Sequence, residues 1–490
     1  MSRGADMKHF PGAADLWLFA AFVLSRVAYY FAGVRFDSSP VRGYWQYIDP
    51  VLMQHRLLES LYYLHMQPPG FNLAVGIVVK LFPSSYTVVL QAIYLLMGVL
   101  IAYSLLHLMR LFHVPEGLSA ALAILFIVNP GCVLYENLAI YEYPILLLLL
   151  VAAIALFRFC QAPCARRSVE FFAVILALVM IRNQFHLIYV LVLAGAMIAA
   201  YPRARRAVWI GSLPVIALIL ALYIKNWVLF HAFTASTWAG MATGVTTTFQ
   251  LTPDEADRLI RAGVVTPLAK IPPFSGLDSY SAYVEIPPRT GIPVLDQAET
   301  STGHPNFNNL AYLKLHDLYL KNSEAIWRHY PIAYARSVLI AWFAYFLPTS
   351  DMHSFDDARL RIHTFERFYN VVFFGQFRQA SSRKDLRTLR ASGGALALPL
   401  YTGTFLIVVL PALVLWALAQ LALSRFRIRW KREERAVLAF MLFTILFATA
   451  VSNSLSTFEN NRYRFVLDGY YTVLAGTAIT SAFLRRCNPC

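Results

Sequence analysis

Several charged residues of this chain stand at the edges of apolar runs, where they could do chemistry. "YENLAIYEYP" carries Glu136 and Glu142, "MIRNQFH" carries Arg182, and "YIKNW" carries Lys225. "FENNRYRF" adds Glu459, Arg462 and Arg464, and Asp49 precedes Pro50 in "YWQYIDP". A charge at an apolar edge costs desolvation energy unless it is paired or used. Guanidinium and ammonium groups suit a phosphate or diphosphate, and arginine grips one through two parallel hydrogen bonds. A carboxylate nearby suits a general base that takes a proton from an acceptor hydroxyl. Together they fit transfer of a group from a lipid phosphate. The plainer alternative is that Arg462 and Arg464 reach to lipid headgroups while the acids pair with them.

Three further positions bear on the same chemistry. His65 and Gln67 lie in "YYLHMQPPGFN", where Pro68 and Pro69 stop a helix and fix a corner. That corner is expected to hold both side chains toward a groove, for contact with sugar or phosphate. Asp37 in "VRFDSSP" rivals Asp49 as the base, nearer the first span and farther from the prolines. Glu142, two residues before Pro144, has three roles open: orienting an acceptor, ligating a metal, or favouring a helix N-terminus.

The elements that position these residues are membrane spans. The chain is 58% hydrophobic and only 14% charged, against roughly 25% in soluble proteins. Apolar runs near the span length recur, continuous rather than alternating, which indicates helices and not a barrel. The net charge of +15 is read through the positive-inside rule, because the basic clusters "CARRS", "YPRARRA" and "SRFRIRWKREER" fall between spans. Nucleic acid is therefore not an expected partner. The basic N-terminal flank lacks a cleavable signal pattern and places the N-terminus inside. Cys160 and Cys164 in "CQAPC", and Cys487 and Cys490 in "CNPC", have no histidine cluster beside them and read as structurally neutral.

The expected layout is all-α and polytopic. An N-terminal transmembrane module spans residues 1–229 and contains a first outer loop at 34–70, with an amphipathic helix over "DPVLMQHRLLESLYYLH". An outer subdomain spans 230–330, opened by a helix capped at Thr252, Pro253 and Glu255 and closed by a surface helix that leads into a span at 332–347. A C-terminal transmembrane module spans 331–490. The expected count is ten to twelve spans, with twelve preferred on parity, one weak segment crossing or one span being re-entrant. No internal repeat is visible, which argues against an inverted-repeat transporter.

Asp49, followed about twenty residues later by "QPPGFN", and "FENNRYRFVLD" near the C-terminus resemble the layout of the GT-C superfamily of membrane glycosyltransferases. "YIKNWVLFHAFTASTWAGM" resembles the end of the central span in that layout. The branch it most resembles is the bacterial dolichyl-phosphate-mannose-protein mannosyltransferase-like one, which includes the aminoarabinose transferases of lipid A. Members often carry Asp-Glu at the acidic position, and here the pair is Asp49-Pro50. The resemblance implies a GT-C-like fold and transfer of a sugar, with inversion, from a polyprenyl-phosphate donor to a glycan, lipid or protein acceptor. The site would lie on the outer side of a bacterial inner membrane. Asp49 would be the base, and Arg182, Lys225, Arg462 and Arg464 would stabilise the leaving phosphate. No cofactor is assigned, and divalent-metal dependence, known in some relatives, stays open. A transporter or flippase of a lipid-linked sugar and a non-catalytic envelope assembly protein are the competing readings.

Overall fold

The computed structural model describes residues 12–285, 287–378, 402–422, 430–457 and 459–487, with side chains in the last segment described to 483. The architecture is all-α, and the described residues hold no β-structure beyond two isolated bridges. Helix α1 (Ala13–Phe31) is followed by a loop with three short helices, α2 (Pro40–Gly43), α3 (Pro50–His55) and α4 (Leu57–Tyr62). Then come α5 (Gly70–Leu81), α6 (Tyr86–Leu111), α7 (Glu116–Val128), α8 (Pro130–Glu136), α9 (Glu142–Gln161), α10 (Ala165–Ile181), α11 (Leu187–Ala200) and α12 (Arg205–Phe230). A long polar segment carries α13 (Ala239–Thr246), α14 (Pro253–Arg261), α15 (Pro293–Asp296) and α16 (Ala311–His329). The rest is α17 (Pro331–Tyr345), α18 (Asp356–Tyr369), α19 (Thr404–Ala422), α20 (Arg432–Leu455) and α21 (Asn460–Cys487).

Among the described residues six helices are long and apolar enough to cross a membrane: α1, α6, α9, the run containing α12, α19 and α20. The α7–α8 pair, bent by 59°, makes a seventh. The bend has a local cause. Pro130 has no amide hydrogen to continue α7, and Asn129 instead caps α8 by accepting from the Gly131 amide at 2.7 Å. Helix α9 is the centre of the bundle, 72% of its span being buried against 22% for α1. It packs on α6, α10, α20 and α21.

The partners at the helix tips define two ends. At the basic end Arg110 pairs with Asp15 at 2.9 Å and with Glu116, and His113 meets Glu434 at 3.1 Å. Arg432 stacks on Tyr201 there. At the loop-rich end the first loop, the long polar segment and α18 come together. Contacts at their tips place three more helices: Arg182 at the tip of α10 reaches Glu142, Arg432 bonds the last carbonyl of α11, and Asn461 of α21 bonds the Pro348 carbonyl at 2.8 Å.

Two further helices, α17 and α5, are shorter than a span. Helix α17 begins beside the tip of α20, where Tyr334 donates to the Ser454 carbonyl at 3.2 Å. It ends beside the start of α19, where the Gly403 amide bonds the Phe346 carbonyl at 2.9 Å. The expected span at 332–347 is thus one continuous helix of 15 residues, shorter than the roughly 20 a membrane crossing needs. Helix α5, after the double proline, likewise finishes where α6 starts, with Ser38 bonded to Thr87 at 2.8 Å. The expected amphipathic helix of the first loop is broken at Arg56 into α3 and α4. The capping box at Thr252 and Glu255 forms as the sequence indicates. The stretch 350–398, where the expected topology was least defined, is described to residue 378, and residues 379–401 and the "CNPC" side chains lie outside the described residues.

Candidate functional site

Glu142 opens α9 after the turn Leu138–Tyr141, which is pinned to the first loop by a bridge between Asp37 and Leu138. Its side chain is fully buried. Arg182, the C-terminal cap of α10, approaches Glu142 Oε1 with Nη1 at 3.3 Å. Arg462, in the first turn of α21, brings Nε to 3.0 Å of the same oxygen, out of line for a hydrogen bond. Arg462 also pairs with Glu459 at 3.1 Å, donates to the Tyr44 hydroxyl, and reaches the Tyr141 hydroxyl at 3.4 Å. The Arg182 guanidinium lies between two rings, 4.7 Å from Tyr141 and 4.4 Å from Tyr463. Three widely separated stretches, "YENLAIYEYP", "MIRNQFH" and "FENNRYRF", thus meet at one point at the loop-rich end.

Within this cluster two arginines face two carboxylates. The pairing is geometrically incomplete, because Glu142 Oε2 has no hydrogen-bond partner among the described residues. A buried acceptor without a donor costs about 1–3 kcal/mol. The free oxygen and the guanidinium donors around it are chemically suited to an exchange of anions, with a phosphate taking over donors that Glu142 and Glu459 now occupy.

Asp49 is 5% exposed and caps α3, accepting from the Val51 amide at 2.8 Å. It also accepts from the Ser301 amide and from Ser301 Oγ at 2.7 Å, which ties the long polar segment to the first loop. A cavity of about 100 Å³ lies beside it, lined by Ile48 and Pro50 on either side of Asp49, by Tyr44, and by Trp45, Phe274 and Phe307. Tyr44 therefore touches both this cavity and Arg462. Asp37, the rival base, accepts from the Ser39 amide at 2.7 Å and belongs to the bridge with Leu138.

Other expected site residues have different jobs. His65 does not face a groove. Its ring is fully buried between Thr237 Oγ1 at 2.7 Å and the Asn308 carbonyl at 2.9 Å. Lys225 donates to the Tyr62 and Leu64 carbonyls at 2.9 and 2.7 Å and pins the tip of α12 to the proline corner. Arg464 points away from Glu142, pairing with Asp468 at 3.1 Å and bonding the Tyr345 carbonyl. Gln67 is half-buried and makes no side-chain hydrogen bond among the described residues. Glu136 is locked to Arg26 at 2.6 Å. The corner nonetheless supports the cluster through Phe71, whose ring packs edge-on against Tyr141 at 5.6 Å. Tyr44, Tyr141 and Ser301 were not singled out by charge. The only signal for the tyrosines was their position inside the quoted motifs.

Burial, with the Lys225 ammonium near it, pushes the His65 imidazole down to about 3, against the pull of the Asn308 hydrogen bond. The folded protein therefore holds His65 neutral where the unfolded chain would protonate it. The contribution is intact above the ordinary value of 6.5 and is lost as pH falls from there toward 3. The full shift corresponds to on the order of 5 kcal/mol. We expect the thermal midpoint of the purified protein to fall between pH 7 and pH 4.5, and His65→Gln to flatten that dependence. An unchanged slope in the variant would refute the assignment.

No protein-family model, no curated protein and no solved structure gives a significant match to this chain.

Proposed function

We propose that the chain is a multipass membrane glycosyltransferase of the GT-C kind, moving a sugar from a polyprenyl-phosphate donor to an acceptor hydroxyl. The observation that carries this reading is the convergence of two buried arginines on one half-satisfied carboxylate, Glu142, at the loop-rich end. In this reading about ten helical passes span a bacterial inner membrane. The basic end faces the cytoplasm, as the positive-inside rule favours, and the loop-rich end faces outward.

In the proposed step the donor phosphate sits on Arg182 and Arg462. Asp49 takes the proton of the acceptor hydroxyl as that oxygen bonds the anomeric carbon. The bond from that carbon to the lipid phosphate breaks with inversion, and the guanidinium groups hold the anion that leaves. Ser301 Oγ already donates to Asp49 as an acceptor hydroxyl would. The acceptor would displace Ser301 and open the aromatic cavity beside it. Trp45 and Phe274, stacked at 5.2 Å, offer that cavity apolar faces suited to a sugar ring. The sugar and the acceptor class stay open. Lys225 and Arg464, first expected on the phosphate, serve here to hold the helices that carry it.

The test is transfer of radiolabelled sugar from a panel of polyprenyl-phosphate donors by the protein in liposomes. Asp49→Asn should lower transfer about 100-fold or more while donor lipid still binds. Ser301→Ala should keep activity, because it removes only the resident hydroxyl. Translocation of the donor by wild type and Asp49→Asn alike, with no glycosidic product, would replace this reading with a flippase.

A further inference from the structure

Away from the Glu142 cluster, the junction of α1 and α18 holds two spaces that share a lining residue, Arg361. One is an apolar groove of about 690 Å³, lined by Ala21, Leu24 and Ala28 of α1, by Ala32 just after it, and by Leu360 and Phe365 of α18. Leu24, Leu360 and Phe365 are exposed there, so the groove opens on the flank of the bundle that the membrane would cover. The other is a polar chamber of about 370 Å³ containing Arg35, Asp37, Asp357 and Arg361. Arg361 lines both spaces and stands at their boundary.

The charges in the chamber are balanced but unequally engaged. Arg35 lies over the Tyr30 ring and donates to the Tyr30 and Val34 carbonyls. Asp37 accepts from the Ser39 amide. Arg361 and Asp357, one helical turn apart on α18, form no ion pair with each other or with any other described residue. They are spaced as a favourable helix pair yet stand apart. Gly33 sets where Arg361 lies. It has φ +97°, and a Cβ there would be 3.1 Å from Arg361 Cδ.

We infer that this junction binds a phospholipid whose headgroup carries an amine, with phosphatidylethanolamine as the committed occupant. The spaces follow the order of that molecule. The acyl chain takes the groove, the phosphate meets Arg361 at the boundary, and the ammonium meets Asp357 in the chamber. A chamber with both signs of charge suits a zwitterionic headgroup better than an anionic one, because only the amine headgroup offers a cation to Asp357, unpaired among the described residues. The site stands whether or not the chain transfers sugars.

The test is native mass spectrometry of the full-length protein in detergent, titrated with phosphatidylethanolamine or phosphatidylglycerol of matched chains. Arg361 and Asp357 are solvent-facing, so their variants are expected to fold. Wild type should retain phosphatidylethanolamine about fivefold better than phosphatidylglycerol. Arg361→Ala should lose retention of both lipids, and Asp357→Asn should lose only the preference. Gly33→Ala, which shifts Arg361, should weaken both. Equal retention of the two lipids by wild type, or unchanged retention by Arg361→Ala, would overturn the proposal.

Discussion

Glu136→Ala should destabilise the protein by about 3–5 kcal/mol, read as a large drop in its thermal midpoint in detergent. Arg26 Nε donates to Glu136 Oε1 at 2.9 Å and Nη2 to Oε2 at 2.6 Å, a two-pronged pair inside the bundle. The Tyr143 hydroxyl donates to the same Oε2 at 2.6 Å, and Arg26 Nη1 holds the Ile127 carbonyl at 2.8 Å, beside the bend between α7 and α8. Side-chain exposure is 10% for Arg26 and 1% for Glu136, so water cannot take over for a lost partner. Removing the carboxylate strands a guanidinium in an apolar setting, which is where the energy goes. The packing leaves no room for a shift, because a Cβ on Gly98 of α6 would lie 2.2 Å from Glu136 Oε2 and 2.8 Å from the Tyr143 hydroxyl. Arg26→Met combined with Glu136→Leu should recover much of the loss, since no charge is left uncompensated. A single variant as stable as wild type would show that the pair contributes nothing. A double variant no better than the sum of the singles would show that the two side chains act separately.

The helices were legible in the sequence because each is a local pattern. Apolar runs give α1, α6, α9 and α12 within a few residues, and Thr252 with Glu255 announces α14. The number of passes was not legible, because an apolar run such as "PIAYARSVLIAWFAY" forms a helix of only 15 residues, shorter than the roughly 20 a crossing needs. What fixes its ends is tertiary: a bond from Tyr334 to the tip of α20 and one from the Gly403 amide, at the start of α19, to the Phe346 carbonyl. The site was legible in part for the same reason. Glu142, Arg182, Glu459 and Arg462 stood out as charges at apolar edges, and desolvation cost brought them together. That cost does not say which charges share a partner. Arg464 is two residues from Arg462, and that spacing turns it away toward Asp468. His65 and Lys225 carry the same residue types as a binding site and are spent on joining loops. Residue type alone cannot separate those uses.

Arg462→Gln and Glu142→Gln should move phosphate binding in opposite directions. Arg462 is 5% exposed and gives its donors to Glu459, Tyr44 and Tyr141, the groups that a phosphate would displace. Glutamine removes the charge and the planar fork, so sugar transfer should fall by about 10²–10³-fold and donor-lipid binding should weaken. Glu142 is the anion already in place, with Oε1 on both arginines and Oε2 without a hydrogen-bond partner among the described residues. Two unit charges about 4 Å apart interact by roughly 4 kcal/mol at an effective dielectric near 20. Neutralising Glu142 removes a like-charge opponent of the phosphate and leaves two arginines in need of an anion. Binding of the polyprenyl phosphate product should then tighten on the order of tenfold, and turnover should fall because release is slowed. A purely structural network predicts something else: both variants lose thermal stability, and neither changes phosphate binding in a direction set by its charge. Equilibrium binding of a fluorescent polyprenyl phosphate, measured beside thermal midpoints for both variants, separates the two. Added polyprenyl phosphate should restore the midpoint of Glu142→Gln but not that of Arg462→Gln, since only the first keeps both cations that the lipid anion would neutralise.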